Sequence, residues 1–149
     1  MLKIDTEGFE PHVLESIRPL WPQLGDVLTE VQPHAWKFHN LTADAALATF
    51  RELITLKQYV VVTLPHTTLE QRKLGTWNVT AASHLDVCTL PVHRGVPHTI
   101  VPTVGLETAE VLDVDGFEAF VRNILRRPRL GLFHEFWLTS AAHCPRRME

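Results

Sequence analysis

The run Leu2-Lys3-Ile4-Asp5-Thr6-Glu7-Gly8-Phe9-Glu10, taken with Val27-Leu28-Thr29-Glu30-Val31 further on, decides the fold. Leu2 and Ile4 sit beside polar residues, as in a short strand over 2–5, and Gly8 marks the turn that ends it. Pro11 suits the first turn of a helix, where its missing N–H is no loss. Val13, Leu14 and Ile17 follow at helical spacing until Pro19 and Pro22 interrupt them, and Gly25 punctuates. Val27 to Val31 is mostly apolar and β-compatible, as expected of a strand covered on both faces in a parallel sheet. The order is strand, helix, strand.

The same alternation recurs downstream. Thr42 can cap a helix in which Ala43, Ala46, Leu47, Phe50, Leu53 and Ile54 form one apolar stripe. A valine-rich strand follows from Tyr59 to Leu64. A third helix is predicted where Asp115 and Glu118 make a pair resembling a capping box, Phe117, Phe120, Val121, Ile124 and Leu125 line one face, and Pro128 stops the element. Arg126 and Arg127 at its end complement the helix dipole. Leu132 to Leu138 reads as the last strand, and either it or Leu85 to Leu90 closes the sheet. Between Pro65 and Asp113, prolines at 91, 97 and 102 and glycines at 75, 95 and 105 interrupt every other candidate, so 65–113 reads as an irregular insertion. Alternating helices and strands predict an α/β layer architecture, with a largely parallel sheet and helices on its faces.

Composition narrows the function classes. The chain has 149 residues, the size of one domain or part of a larger one, and a formal net charge of −3. That mild acidity offers no electrostatic footprint for nucleic acid. Hydrophobic residues make up 45% and charged residues 21%, so a packed core is expected rather than disorder. Cys88 and Cys144 are too few for a disulfide framework and read as reduced thiols. The opening residues lack a secretory h-region, and no run approaches the roughly 18 apolar residues of a membrane span. No membrane span and, by default, a cytoplasmic location are therefore expected.

Ligands of open α/β sheets bind outside the carboxyl ends of the strands. The first strand ends in Asp5-Thr6-Glu7-Gly8, and the second runs through Glu30 into Pro33-His34. If the two strands are neighbours, Asp5 and Glu30 project near one edge and His34 lies close by. Such a group can supply a general base, hold a ligand hydroxyl or bind a hard cation through oxygen. The pairs His34/His39 and His93/His98 lack the further ligands of a zinc site, and no metal site is expected. Trp21, Trp36, Trp77 and Trp137 read as core, with Trp36 set apart because it follows the end of the second strand. No P-loop or nucleophile elbow is present.

The residues quoted at the outset, with Val13-Leu14 between them, resemble the Lys-Ile-Asp-acidic-Gly segment and following strand of FkbM-type methyltransferases. The likeness is specific over about the first 35 residues. It implies a class I Rossmann-like sheet, S-adenosylmethionine as cofactor and transfer of a methyl group to a hydroxyl of a sugar or small-molecule acceptor. It also implies roles: Asp5 and Glu7 toward the cofactor's reactive end, Glu30 and His34 toward the acceptor. In that family the segment is the fourth strand, and the Gly-rich cofactor loop lies earlier. No Gly-x-Gly-x-Gly-like run occurs in this sequence. The resemblance thus implies the carboxyl-terminal half of the domain, best supported over 1–64, with the helix and closing strand over 114–140. The competing expectation is a non-catalytic α/β remnant acting as a protein-interaction module, paired through the exposed edge of its first strand.

Overall fold

The structure, a computed structural model, describes residues 1–63, 92–93, 110–126 and 134–140. In chain order they form β1 (Leu2–Ile4), α1 (Glu10–Ser16), a 3₁₀ helix (Arg18–Gln23), β2 (Val27–Val31), a second 3₁₀ helix (Pro33–His39) and α2 (Ala43–Lys57). Then come β3 (Tyr59–Thr63), β4 (Val92–His93), β5 (Glu110–Leu112), α3 (Val114–Leu125) and β6 (His134–Ser140). The strands make one sheet in the order β1-β2-β6-β3-β5-β4. The predicted strand over 85–90 and the two cysteines lie outside the described residues.

The fold is α/β, but the sheet is mixed rather than largely parallel. β1 pairs with β2 and β4 with β5 in parallel, whereas β2–β6, β3–β6 and β3–β5 are antiparallel. From these senses, β1, β2 and β3 run one way and β4, β5 and β6 the other. Two strand–helix–strand units, β2-α2-β3 and β5-α3-β6, interleave, each placing one strand between the two strands of the other. Hydrophobic pattern reveals which segments are strands but not their direction, because both kinds of ladder bury the same residues when the sheet is covered. For the same reason β6 is no closing edge. It lies between β2 and β3, registering Val27 with Leu138 and Val61 with Leu138.

Among the described residues, α1, α2 and α3 pack on one face. Val27, Val31, Val61, Phe136 and Leu138 share a core with Leu14 of α1, with Leu47 and Phe50 of α2, and with Phe117 and Val121 of α3. A chain of rings crosses it: Trp36 to Phe50 at 6.5 Å between centroids, Phe50 to Phe117 at 5.4 Å, and Phe117 to Phe136 at 5.1 Å edge-on. On the opposite face Val62 and Val111 are also fully buried.

Thr42 caps α2 as expected, its hydroxyl accepting from the Ala45 N–H at 3.1 Å. Thr42→Ala is expected to cost about 1 kcal/mol of stability, read as a lower urea midpoint. For α3 the capping residue is Asp113, not Asp115. Asp113 has extended φ and ψ (−78°, 179°), and its carboxylate accepts from the Gly116 N–H at 2.7 Å. Asp115 and Glu118 lie inside the helix and instead hold Arg51 of α2. Spacing pointed to Asp115, whereas the backbone geometry sets the cap two residues earlier.

Candidate functional site

β1 and β2 are parallel neighbours with Ile4 opposite Thr29, so their carboxyl ends emerge side by side. Asp5 follows Ile4 and Glu30 follows Thr29, which sets the two acids at adjacent strand ends. Strand alternation puts both on the sheet face opposite the helices, since Ile4, Val27 and Val31 point into the helical core. Asp5 is exposed, and its carboxylate lies 3.6 Å from Lys3 Nζ, itself exposed. Such a pair is well solvated and weak. Glu30 is half-buried and stands directly opposite Glu135 of β6.

The turn after Asp5 is tight. The Phe9 N–H donates to the Thr6 carbonyl at 3.1 Å, and Glu7 and Gly8 both take positive φ, 48° and 98°, the signs of a type I′ turn. Glu7 is exposed on its crest. Gly8 is buried against Ala35, which holds the turn to the 3₁₀ helix following β2.

His34 belongs to that 3₁₀ helix. Its Nε2 lies 3.0 Å from the Ile124 carbonyl at the end of α3. A carbonyl only accepts, so Nε2 carries the hydrogen, and in the neutral ring Nδ1 holds the lone pair. The imidazole is thus turned into the helical layer, whereas Asp5 and Glu30 share the other side of the sheet. Asp5, Glu7 and Glu30 gather at one strand edge, and His34 is separated from them by the face it occupies. Trp36 is core: it is 1% exposed, so its ring has no free face for a sugar. His39 packs edge-on against Phe9 and accepts from His12 Nε2 through its carbonyl.

Glu10 is the residue that sequence reading passed over. It is fully buried, its Oε1 accepting from the Gly8 N–H at 2.6 Å and its Oε2 from the Trp36 indole at 3.2 Å. Burial raises its carboxyl above the ordinary value, while the amides of Gly8, Glu10 and Gln32 and the Trp36 indole pull it back. A signal was present in the sequence. Glu10, Val13, Leu14 and Ile17 fall at i, i+3, i+4 and i+7, so this glutamate sits in register with the buried stripe.

Among the described residues, no group of three His, Cys, Asp or Glu is arranged to hold a metal ion, and no helix is long and apolar enough to cross a membrane. Comparison with protein families, with curated proteins and with solved structures finds no match to this chain.

Proposed function

We propose that this chain is the carboxyl-terminal portion of an S-adenosylmethionine-dependent O-methyltransferase of FkbM type, acting on a hydroxyl of a sugar or other small molecule. The observation that carries the reading is the strand order β1-β2-β6-β3, in which two parallel strands are followed by an antiparallel strand set between them and a third parallel one. A class I methyltransferase sheet ends in that order, starting from its fourth strand, the strand to which the Lys3-Ile4-Asp5 resemblance assigns β1. α1, α2 and α3 lie on one face, in agreement with this, because a doubly wound sheet carries the helices of its two halves on opposite faces. β5 and β4 extend the sheet beyond what that class requires.

The residues present fit one wall of a cofactor site. Exposed carboxylates at a strand end suit the hydroxyl and ammonium donors of S-adenosylmethionine, and the Gly-rich run that would hold its other side does not occur in this sequence. When bound, the cofactor supplies an activated methyl group on a sulfonium. The chain's part is alignment and proton removal. Asp5 and Glu7 accept hydrogen bonds and orient the bound molecule. Glu30, at the neighbouring strand end, takes the proton of the acceptor hydroxyl.

Calorimetric titration and a labelled-methyl assay test the reading on a protein in which a Gly-rich cofactor segment precedes residue 1. Binding is expected, and Asp5→Ala is expected to lower affinity by about tenfold or more. Asp44→Ala serves as the control, because Asp44 is 81% exposed and pairs only with Arg122 among the described residues. Neither binding nor transfer by the longer protein overturns the reading. The second reading, an interaction module, is favoured by the place of β1 at one end of the strand order. It expects self-association by sedimentation and no cofactor binding from either protein.

A further inference from the structure

The carboxylate of Glu10 spans two segments that the sequence separates. Gly8, the donor to Oε1, belongs to the turn carrying Asp5 and Glu7, and Trp36, the donor to Oε2, belongs to the 3₁₀ helix carrying His34. Both contacts are buried. Two N–H groups aimed at two different oxygens match an anion, which accepts at both ends. A neutral carboxylic acid must turn one end into a donor and meets an N–H there.

We infer that Glu10 is a proton-responsive tether of the candidate site: ionised, it clamps the Thr6–Phe9 turn to the Pro33–His39 helix, and protonated it releases the Trp36 end. One proton moves from solvent onto Oε2, and no other covalent bond changes. Oε2 is the end that yields because its contact is the longer, 3.2 Å against 2.6 Å. What release does to Asp5 and Glu7 as functional groups rests on the methyltransferase reading; the tether itself rests on the two hydrogen bonds.

The surroundings favour this behaviour. Titratable side chains on the neighbouring elements are Asp5 and Glu7 of the turn, His12 and Glu15 of α1, and His34, Lys37 and His39 of the 3₁₀ helix. On α2, Asp44, Arg51 and Glu52 are committed to surface ion pairs, and Lys57 donates to the Pro22 carbonyl. Among the described residues, the Glu10 carboxyl is set by burial and by N–H donors rather than by a charged side chain. Its folded value lies above the ordinary 4.5. The stability it contributes is therefore fully present below that ordinary value and is lost as pH rises through the raised one. Acidification loosens the tether locally without weakening the fold through this group.

The test is a ¹⁵N correlation titration of the 149-residue chain, from about pH 7.5 down to about pH 4. The Gly8 amide and the Trp36 indole are expected to move together with one midpoint above 4.5, the indole in the direction of a lost hydrogen bond. Glu10→Gln, neutral and of the same size, is expected to abolish that shared inflection. Trp36→Phe removes one donor to the anion and is expected to raise the Gly8 midpoint by about one pH unit. Separate midpoints for the two resonances, or a shared one that survives Glu10→Gln, overturn the inference. Neither readout uses cofactor or activity, so failure here leaves the methyl-transfer assay standing, and failure of that assay leaves the tether standing. If Trp36→Phe does not fold, wild type against Glu10→Gln decides alone.

Discussion

Gly8→Ala is expected to destabilise the protein by about 3 kcal/mol, the sum of forcing a side chain into positive φ and of overpacking a buried contact. Gly8 has φ 98°, and a Cβ built there overlaps the Cβ of Ala35 and lies 3.0 Å from the Ala35 carbonyl carbon. Backbone cannot swing aside as a flexible side chain does, so either the turn or the 3₁₀ helix must move. The shift also displaces the N–H that Glu10 accepts, so the loss extends to the tether. Gly25→Ala is the matched control. A Cβ at Gly25 meets nothing within 4 Å, and little change is expected. Urea unfolding of the two variants at unchanged m-value checks the difference, and equal midpoints would show that the turn relaxes freely.

Phe117→Ala is expected to cost about 3–5 kcal/mol, the range for deleting a buried aromatic ring and leaving a cavity. Phe117 is fully buried, with Phe50 of α2 at 5.4 Å and Phe136 of β6 at 5.1 Å between ring centroids. It therefore joins α2, α3 and β6, the pieces that interlock the two strand–helix–strand units. Phe38→Ala removes the same ring from a site 75% exposed and is expected to change stability by less than about 0.5 kcal/mol. Thermal or urea unfolding compares them. A similar small loss for both would mean that the interlocked core does not depend on the aromatic chain.

Much of the fold was legible because local rules and tertiary packing agree where they are strongest. Val27–Val31 forms the strand its apolar run announced, and α2 buries Ala46, Leu47, Phe50, Leu53 and Ile54 as the stripe predicted. The 3₁₀ helix Pro33–His39 was not legible. Its residues show no long period, and its position follows from the close approach of Ala35 to Gly8 and from the Trp36 indole donating to Glu10. At the candidate site, Asp5 and Glu30 could be set side by side from sequence once β1 and β2 were taken as neighbours. His34 could not be placed, since the carbonyl it meets, Ile124, lies far along the chain.

By itself the sequence determined the elements, the buried stripes, the Thr42 cap and the acid-rich turn after β1, because propensity, periodicity and capping act within a few residues. Only the tertiary structure decided the direction and order of the strands, the insertion of β6 between β2 and β3, the side of the sheet on which His34 lies, and the partners of Glu10. Those features are set by contacts between distant segments. Burial patterns are blind to strand direction, and a buried carboxylate looks like any other glutamate until the groups that donate to it are brought around it.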